Sequence, residues 1–127
     1  MSGVVHILLI ASFGALGTLG RYGLAAVVQP LSGGRFPLST LLVNLIGSLL
    51  MGVFYVLIFE KIALAQEWRN YLMVGFLGAF TTFSAFSLDT LALWQNGQPL
   101  LAAVYVCVSL VLCLGGIAAA VAITRLF

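Results

Sequence analysis

From Gly78 to Ser87 the chain reads Gly-Ala-Phe-Thr-Thr-Phe-Ser-Ala-Phe-Ser. Hydroxyl side chains supply O–H donors and oxygen acceptors, and aromatic rings present a positive edge around a negative face. Such groups suit the holding of an ion better than acid–base work. The stretch lies inside a hydrophobic run from about Tyr71 to Trp94. As a helix that run spans roughly 35 Å, which puts Thr82 near the centre of a bilayer. Thr and Ser compete for backbone hydrogen bonds and Gly has little helix propensity, so the helix is expected to loosen here. Non-helical backbone at membrane depth persists only where it is buried in protein or lines a wet cavity. The stretch therefore reads as a permeation or ion-binding site.

Composition sets the class. Of 127 residues, 63% are hydrophobic and 6% charged, with five Lys and Arg against three Asp and Glu. Soluble domains carry about 25% charge, and so few charged side chains cannot clothe a soluble surface. The expectation is an all-α integral membrane protein whose solvent is the lipid bilayer. The net charge of +2 comes from too few groups to indicate nucleic acid, and no basic stretch with interleaved aromatics supports one.

Four spans of mostly apolar residues can be drawn within a single domain covering residues 1–127: about 4–28, 38–59, 71–94 and 99–123. Each reaches the roughly 20 residues that a bilayer requires. Polar connectors separate them at residues 29–37, 60–70 and 95–98. Pro99 suits the first turn of the last helix, where its missing N–H costs little. The N-terminal segment lacks a basic n-region and is too long for a signal-peptide h-region.

Polar residues within the spans form stripes. Thr40, Asn44 and Ser48 recur at i, i+4 and i+8 in the second span, with Tyr55 further along, and Tyr105, Ser109 and Cys113 recur likewise in the fourth. Residues at this spacing share one helical face. Asn44 brings amide donors and an acceptor into hydrocarbon, where polar residues face the bundle interior. Its two readings are an interhelical hydrogen bond and a ligand for an ion. Arg21 either snorkels to the headgroups or sets a fixed positive charge in a vestibule. Asp89, two turns past the hydroxyl stretch, can pair with a cation or cap an interfacial turn. Small-residue spacings such as Gly14-x-x-Gly17-x-x-Gly20 and Ser48-x-x-x-Gly52 suit close helix packing, within one subunit or between two.

Enzymatic chemistry finds no foothold. Cys107 and Cys113 are six residues apart on one predicted helix, with no CxxC spacing, and read as packing residues. His6 stands alone in the sequence near the membrane edge. The chain carries no nucleophile–base pair, paired carboxylates or glycine-rich phosphate loop.

These residues, taken together, resemble the Fluc (CrcB) fluoride channels. The likeness rests on Gly20-Arg21, on Thr40-Leu41-Leu42-Val43-Asn44-Leu45 and above all on residues 75–87, with their TTFSAFS core. It implies a dual-topology antiparallel homodimer with two fluoride pores, a third helix broken at the midplane, and passive fluoride export across a bacterial inner membrane. It further implies pore-facing Phe83 and Phe86, pore-lining Asn44, and a structural, untransported sodium ion (Na+) on the backbone carbonyls of Gly78 and Thr81. Tyr105 and Ser109 match the start of a polar track in the fourth span. Cys113 and Ile117 stand where many members carry hydroxyls. The residues agree with that reading: a dry fluoride path needs donors in place of water, and Thr40, Asn44, Thr82, Ser84, Ser109 and Tyr105 provide them. Two other classes compete. A small multidrug exporter needs a membrane carboxylate, whereas the only charge in the first span is Arg21. A non-transporting assembly subunit leaves the hydroxyl cluster without a purpose.

Charge placement bears on orientation. With four spans, Lys61, Arg69 and Arg125 share a side with the termini, while Arg35 and Arg21 lie toward the other. This small difference gives the positive-inside rule little to act on, so both orientations are expected in one membrane. A cysteine engineered into the connector at residues 60–70 will then be labelled from both faces; labelling from one face alone would exclude dual topology.

Overall fold

The computed structural model describes residues 2–62 and 64–127. Four helices account for nearly all of them: α1 (Gly3–Ser32), α2 (Leu38–Lys61), α3 (Gln66–Gln95) and α4 (Pro99–Arg125). Each is long and apolar enough to cross a membrane. Ser2 caps α1 by accepting from the Val5 amide at 3.3 Å. Pro99 occupies the first turn of α4. Gly33, Gly34 and Gly97 turn the chain with φ of 68°, 77° and 76°, a left-handed backbone that costs glycine nothing.

The helices run past the boundaries that hydropathy suggests. α1 continues through a 3₁₀ turn at Gln29–Ser32, and α2 through a wide π turn at Val56–Lys61. Helical hydrogen bonding satisfies polar backbone whatever the side chains, so a helix can extend into the polar interface. α3 starts at Gln66 and passes through a second π segment, Asn70–Leu77. At Thr81 the backbone leaves helical dihedrals (φ −85°, ψ 159°), and at Thr82 it is also extended (φ −152°, ψ 113°). Helical structure resumes as Phe83–Gln95.

Glycine decides how closely the helices approach. α1 lies along the first part of α3 with Gly17 against the backbone of Phe76, where a Cβ has no room. Gly75 meets α1 from the opposite side, its virtual Cβ 2.9 Å from the Ile10 carbonyl. Gly52 brings α2 equally close to Ile117 of α4. The buried core has two parts. Val43, Leu77 and Phe80 form one, and Leu41, Leu93, Ala102 and Tyr105 the other.

Polar contacts tie the bundle together at the end that carries the termini. Asn70 Nδ2 lies 3.2 Å from His6 Nε2, and the other ring nitrogen, Nδ1, lies 3.2 Å from the Tyr71 hydroxyl. His6, solitary in the sequence, thus joins α1 to α3. Arg125 forms a forked ion pair with Glu60, 2.7 Å at its shorter contact, linking α4 to the end of α2.

Gly17→Ala places a methyl group into the Phe76 backbone and is expected to cost about 1–3 kcal/mol by overpacking. Gly14→Ala, whose Cβ meets the Gly75 carbonyl at an ordinary 3.6 Å, serves as the control. Thermal unfolding in detergent will separate the two; equal melting temperatures would mean that α1 and α3 do not pack this closely in solution.

Candidate functional site

The site is built where α3 loses its helical hydrogen bonds. In an uninterrupted helix the Thr82 amide would bond the Gly78 carbonyl. Instead it donates to Asn44 Oδ1 at 2.8 Å, while Asn44 Nδ2 donates back to the Thr82 carbonyl at 3.1 Å. One side-chain amide from α2 thus pairs both backbone groups of one residue, as a neighbouring strand would. Thr81 turns the other way: its amide and Oγ1 both donate to the Leu77 carbonyl, at 3.0 and 2.9 Å. Its methyl group packs on Gly47, where any Cβ would collide with it.

Downstream, Thr82 caps the second part of α3. Its Oγ1 accepts from the Ala85 amide at 3.1 Å and lies 3.3 Å from Ser84 Oγ. The helix beginning at Phe83 directs its positive end at this spot, while the helix ending at Phe80 directs its negative end there. Arg21 answers the latter, Nε donating to the Ala79 carbonyl at 3.1 Å. The arginine is half-buried against the interruption in α3.

Beside this junction lies a groove of about 280 Å³. α2 lines it with Asn44, Gly47, Ser48 and Met51, and α3 with Thr81, Thr82, Phe83 and Phe86. α4 contributes Ser109, Leu110, Cys113 and Ile117. Ser109 is only 6% exposed, and its hydroxyl has no hydrogen-bond partner among the described residues. Aromatic rings continue from the groove. Phe83 and Phe86 meet at 5.5 Å and 64°, Phe86 and Tyr105 at 5.2 Å, and Tyr105 and Phe36 edge-on at 5.4 Å. The Tyr105 hydroxyl donates to Asp89 Oδ2 at 3.3 Å and lies within hydrogen-bonding reach of Thr40. Phe83 is 75% exposed, so the groove opens onto the surface of the subunit.

The residues singled out by sequence therefore divide. Asn44, Thr81, Thr82, Phe83, Phe86 and Ser109 meet in one groove; Thr40 and Tyr105 lie beyond its aromatic end. Ser84 reaches the site only through Thr82, and Arg21 approaches from α1. Tyr55, assigned to the Asn44 stripe, is exposed and packs on Phe59 at 5.4 Å instead. Gly47 and Met51 escaped sequence reasoning. Their positions, three and seven residues after Asn44, mark the same face, but an apolar residue there carries no chemical signal.

A sequence model described as CrcB-like protein, Camphor Resistance (CrcB), matches residues 8–122. This chain belongs to the CrcB family. Among its relatives, a protein of Saccharophagus degradans named fluoride-specific ion channel FluC is 49% identical over 93% of this chain and 88% of its own length. A Hahella chejuensis protein of the same name is 46% identical over 97% of both chains. A third, from Coxiella burnetii, is 42% identical over 88% of this chain and 91% of its own. Of the motif on which the resemblance rested, Thr81, Thr82, Phe83 and Phe86 line one groove together with Asn44.

Asn44→Ala would leave the Thr82 amide and carbonyl unpaired in a largely apolar site. The expected loss is about 1–3 kcal/mol per unsatisfied group, read as a lower melting temperature. Unchanged melting would mean that water or another residue replaces the asparagine.

Proposed function

We propose that this CrcB-family chain is a passive, fluoride-selective channel of the bacterial inner membrane. The groove shared by Asn44, Thr82 and Ser109 carries the reading, and the names of the relatives support it. Fluoride is small and strongly hydrated, so a narrow path must replace its water with donors. Asn44 uses one N–H on the Thr82 carbonyl and keeps the second for an anion. Ser109 has an uncommitted hydroxyl. Phe83 and Phe86 offer positive ring edges, and the positive end of the Phe83–Gln95 helix adds a field of the same sign. Among the described residues no carboxylate lines the groove, in keeping with an anion path and against proton-coupled export of cationic drugs.

The working unit in this proposal is an antiparallel homodimer with two pores. A second copy would cover the open side of the groove and the exposed Phe83, and the extended residues of α3 would sit at the bilayer midplane. A structural sodium ion fits the freed backbone. With the Thr82 amide turned to Asn44, the Gly78 carbonyl lacks its helical donor, and the Thr81 carbonyl accepts no hydrogen bond from the described residues. Gly78 is exposed on the subunit surface, open to the same carbonyls of a partner. Hard oxygen ligands suit such an ion, which would neutralise carbonyl dipoles otherwise unsatisfied in hydrocarbon.

Liposomes loaded with potassium fluoride will release it once a potassium ionophore relieves the charge build-up. Equal release of chloride, or a requirement for a proton gradient, would overturn the proposal. In the same assay Phe86→Ile should slow release by roughly tenfold or more, about 1.4 kcal/mol of barrier, with the dimer intact. Prolonged exchange of sodium for a large organic cation should abolish release and dissociate the dimer; full activity afterwards would remove sodium from the account.

A further inference from the structure

The row of rings that leaves the groove ends at a second cavity. Phe36, edge-on to Tyr105, lies between Arg35 and Pro37 in the chain, and both neighbours line a cavity of about 390 Å³. Asp89, which accepts from the Tyr105 hydroxyl, lines it too. Gln29 at the end of α1 contributes to its wall, with Asn96 and Gln98 from the loop between α3 and α4. The cavity therefore stands at the end of the bundle opposite the termini. Gln29 fixes one wall. Its Nε2 donates to Ser32 Oγ at 3.3 Å and to the Phe36 carbonyl at 3.2 Å. Its Oε1 accepts from the Ser39 amide at 3.3 Å and from Ser39 Oγ at 2.9 Å. That amide is fully spent on holding the loop. The charged side chains lining the cavity are Arg35 and Asp89. Arg35 is exposed and, among the described residues, makes neither a hydrogen bond nor an ion pair.

Asp89 alone would make this cavity a poor place for an anion. A carboxylate repels fluoride, and low-dielectric walls focus the field of whatever charge lines a cleft. Arg35 supplies the opposite charge from a loop that Gln29 holds in place. It does so without pairing to Asp89, a contact that would plug the opening. Resting on the fluoride-channel reading, we propose that this cavity is the outer mouth of the ion path and that Arg35 is its counter-charge. It cancels the Asp89 carboxylate, so that a small anion such as fluoride can pass between water and the aromatic row. Arg35 acts through the field of the mouth and is not part of the groove.

The test is fluoride current across a planar bilayer with the same dilute sodium fluoride on both sides, before and after sodium gluconate raises the ionic strength. Gluconate is too bulky to follow fluoride. At a small voltage in symmetric solutions, pores contribute equally whichever way they face, and each bilayer is its own reference for channel number. Screening shrinks the reach of a charge from about 30 Å at 0.01 M salt to about 3 Å at 1 M. The parent and Arg35→Lys should respond little to gluconate. In Arg35→Gln, which leaves Asp89 alone, the current should rise roughly two- to threefold as the carboxylate is screened. Arg35→Glu should rise further, and Arg35→Gln combined with Asp89→Asn should return to the parent's response. A lost structural contact would instead lower the current equally at both ionic strengths. Two outcomes overturn the inference alone: the same salt response in the parent, Arg35→Gln and Arg35→Glu, or a double variant that still responds like Arg35→Gln. Absence of fluoride current in the parent would overturn the channel reading and this inference with it.

Discussion

The two hydrogen bonds between Asn44 and Thr82 allow the remainder of the site to exist. A residue that leaves helical geometry within an apolar bundle exposes an amide and a carbonyl, and each unsatisfied group there costs several kcal/mol. The Asn44 side chain satisfies both at once, at 2.8 and 3.1 Å. With that cost removed, Thr82 can stay extended, cap the next helix and leave the Gly78 carbonyl without its usual donor. Phe83 and Phe86, at the start of the helix that resumes there, then face the groove.

Close helix packing holds this arrangement in place. Gly47 lets the Thr81 methyl group reach α2, and Gly17 lets the backbone of α3 rest on α1. These approaches leave no slack for the interruption to heal by sliding into register. Arg21 opposes the negative end of the preceding helix by bonding the Ala79 carbonyl, a placement that side-chain length and packing set together. Gly20, beside it, lies against the ring of Phe80 at ordinary contact distance, and that ring stacks on Phe76 at 5.9 Å.

Much of the site was legible because its chemistry is unusual for its setting. Hydroxyls in the middle of an apolar run announce themselves, and a four-residue period assigns Asn44, Ser48, Ser109 and Cys113 to helix faces. The period placed Tyr55 on the Asn44 face, but eleven residues carry it roughly 16 Å along α2, past the groove, whose α2 lining ends at Met51, and its ring packs on Phe59 instead. It was silent about Gly47 and Met51, since apolar residues look alike whether they face lipid, core or cavity. His6 read as isolated because its partners, Asn70 and Tyr71, lie more than sixty positions away in the chain.

Composition and hydropathy by themselves determined that this is an all-helical chain with four segments able to span a membrane, since a bilayer imposes length and apolarity directly on the sequence. Local residue types likewise marked where polar chemistry would lie, and the quoted motifs were sufficient to point to the family. Only the tertiary structure decided which carbonyls are freed, which hydroxyls remain unpaired and which faces meet. Those outcomes depend on contacts between residues tens of positions apart: Asn44 with Thr82, Arg21 with Ala79, Gly17 with Phe76. A helical period defines a face but not its neighbour, because the choice of neighbour rests on backbone approach and side-chain shape.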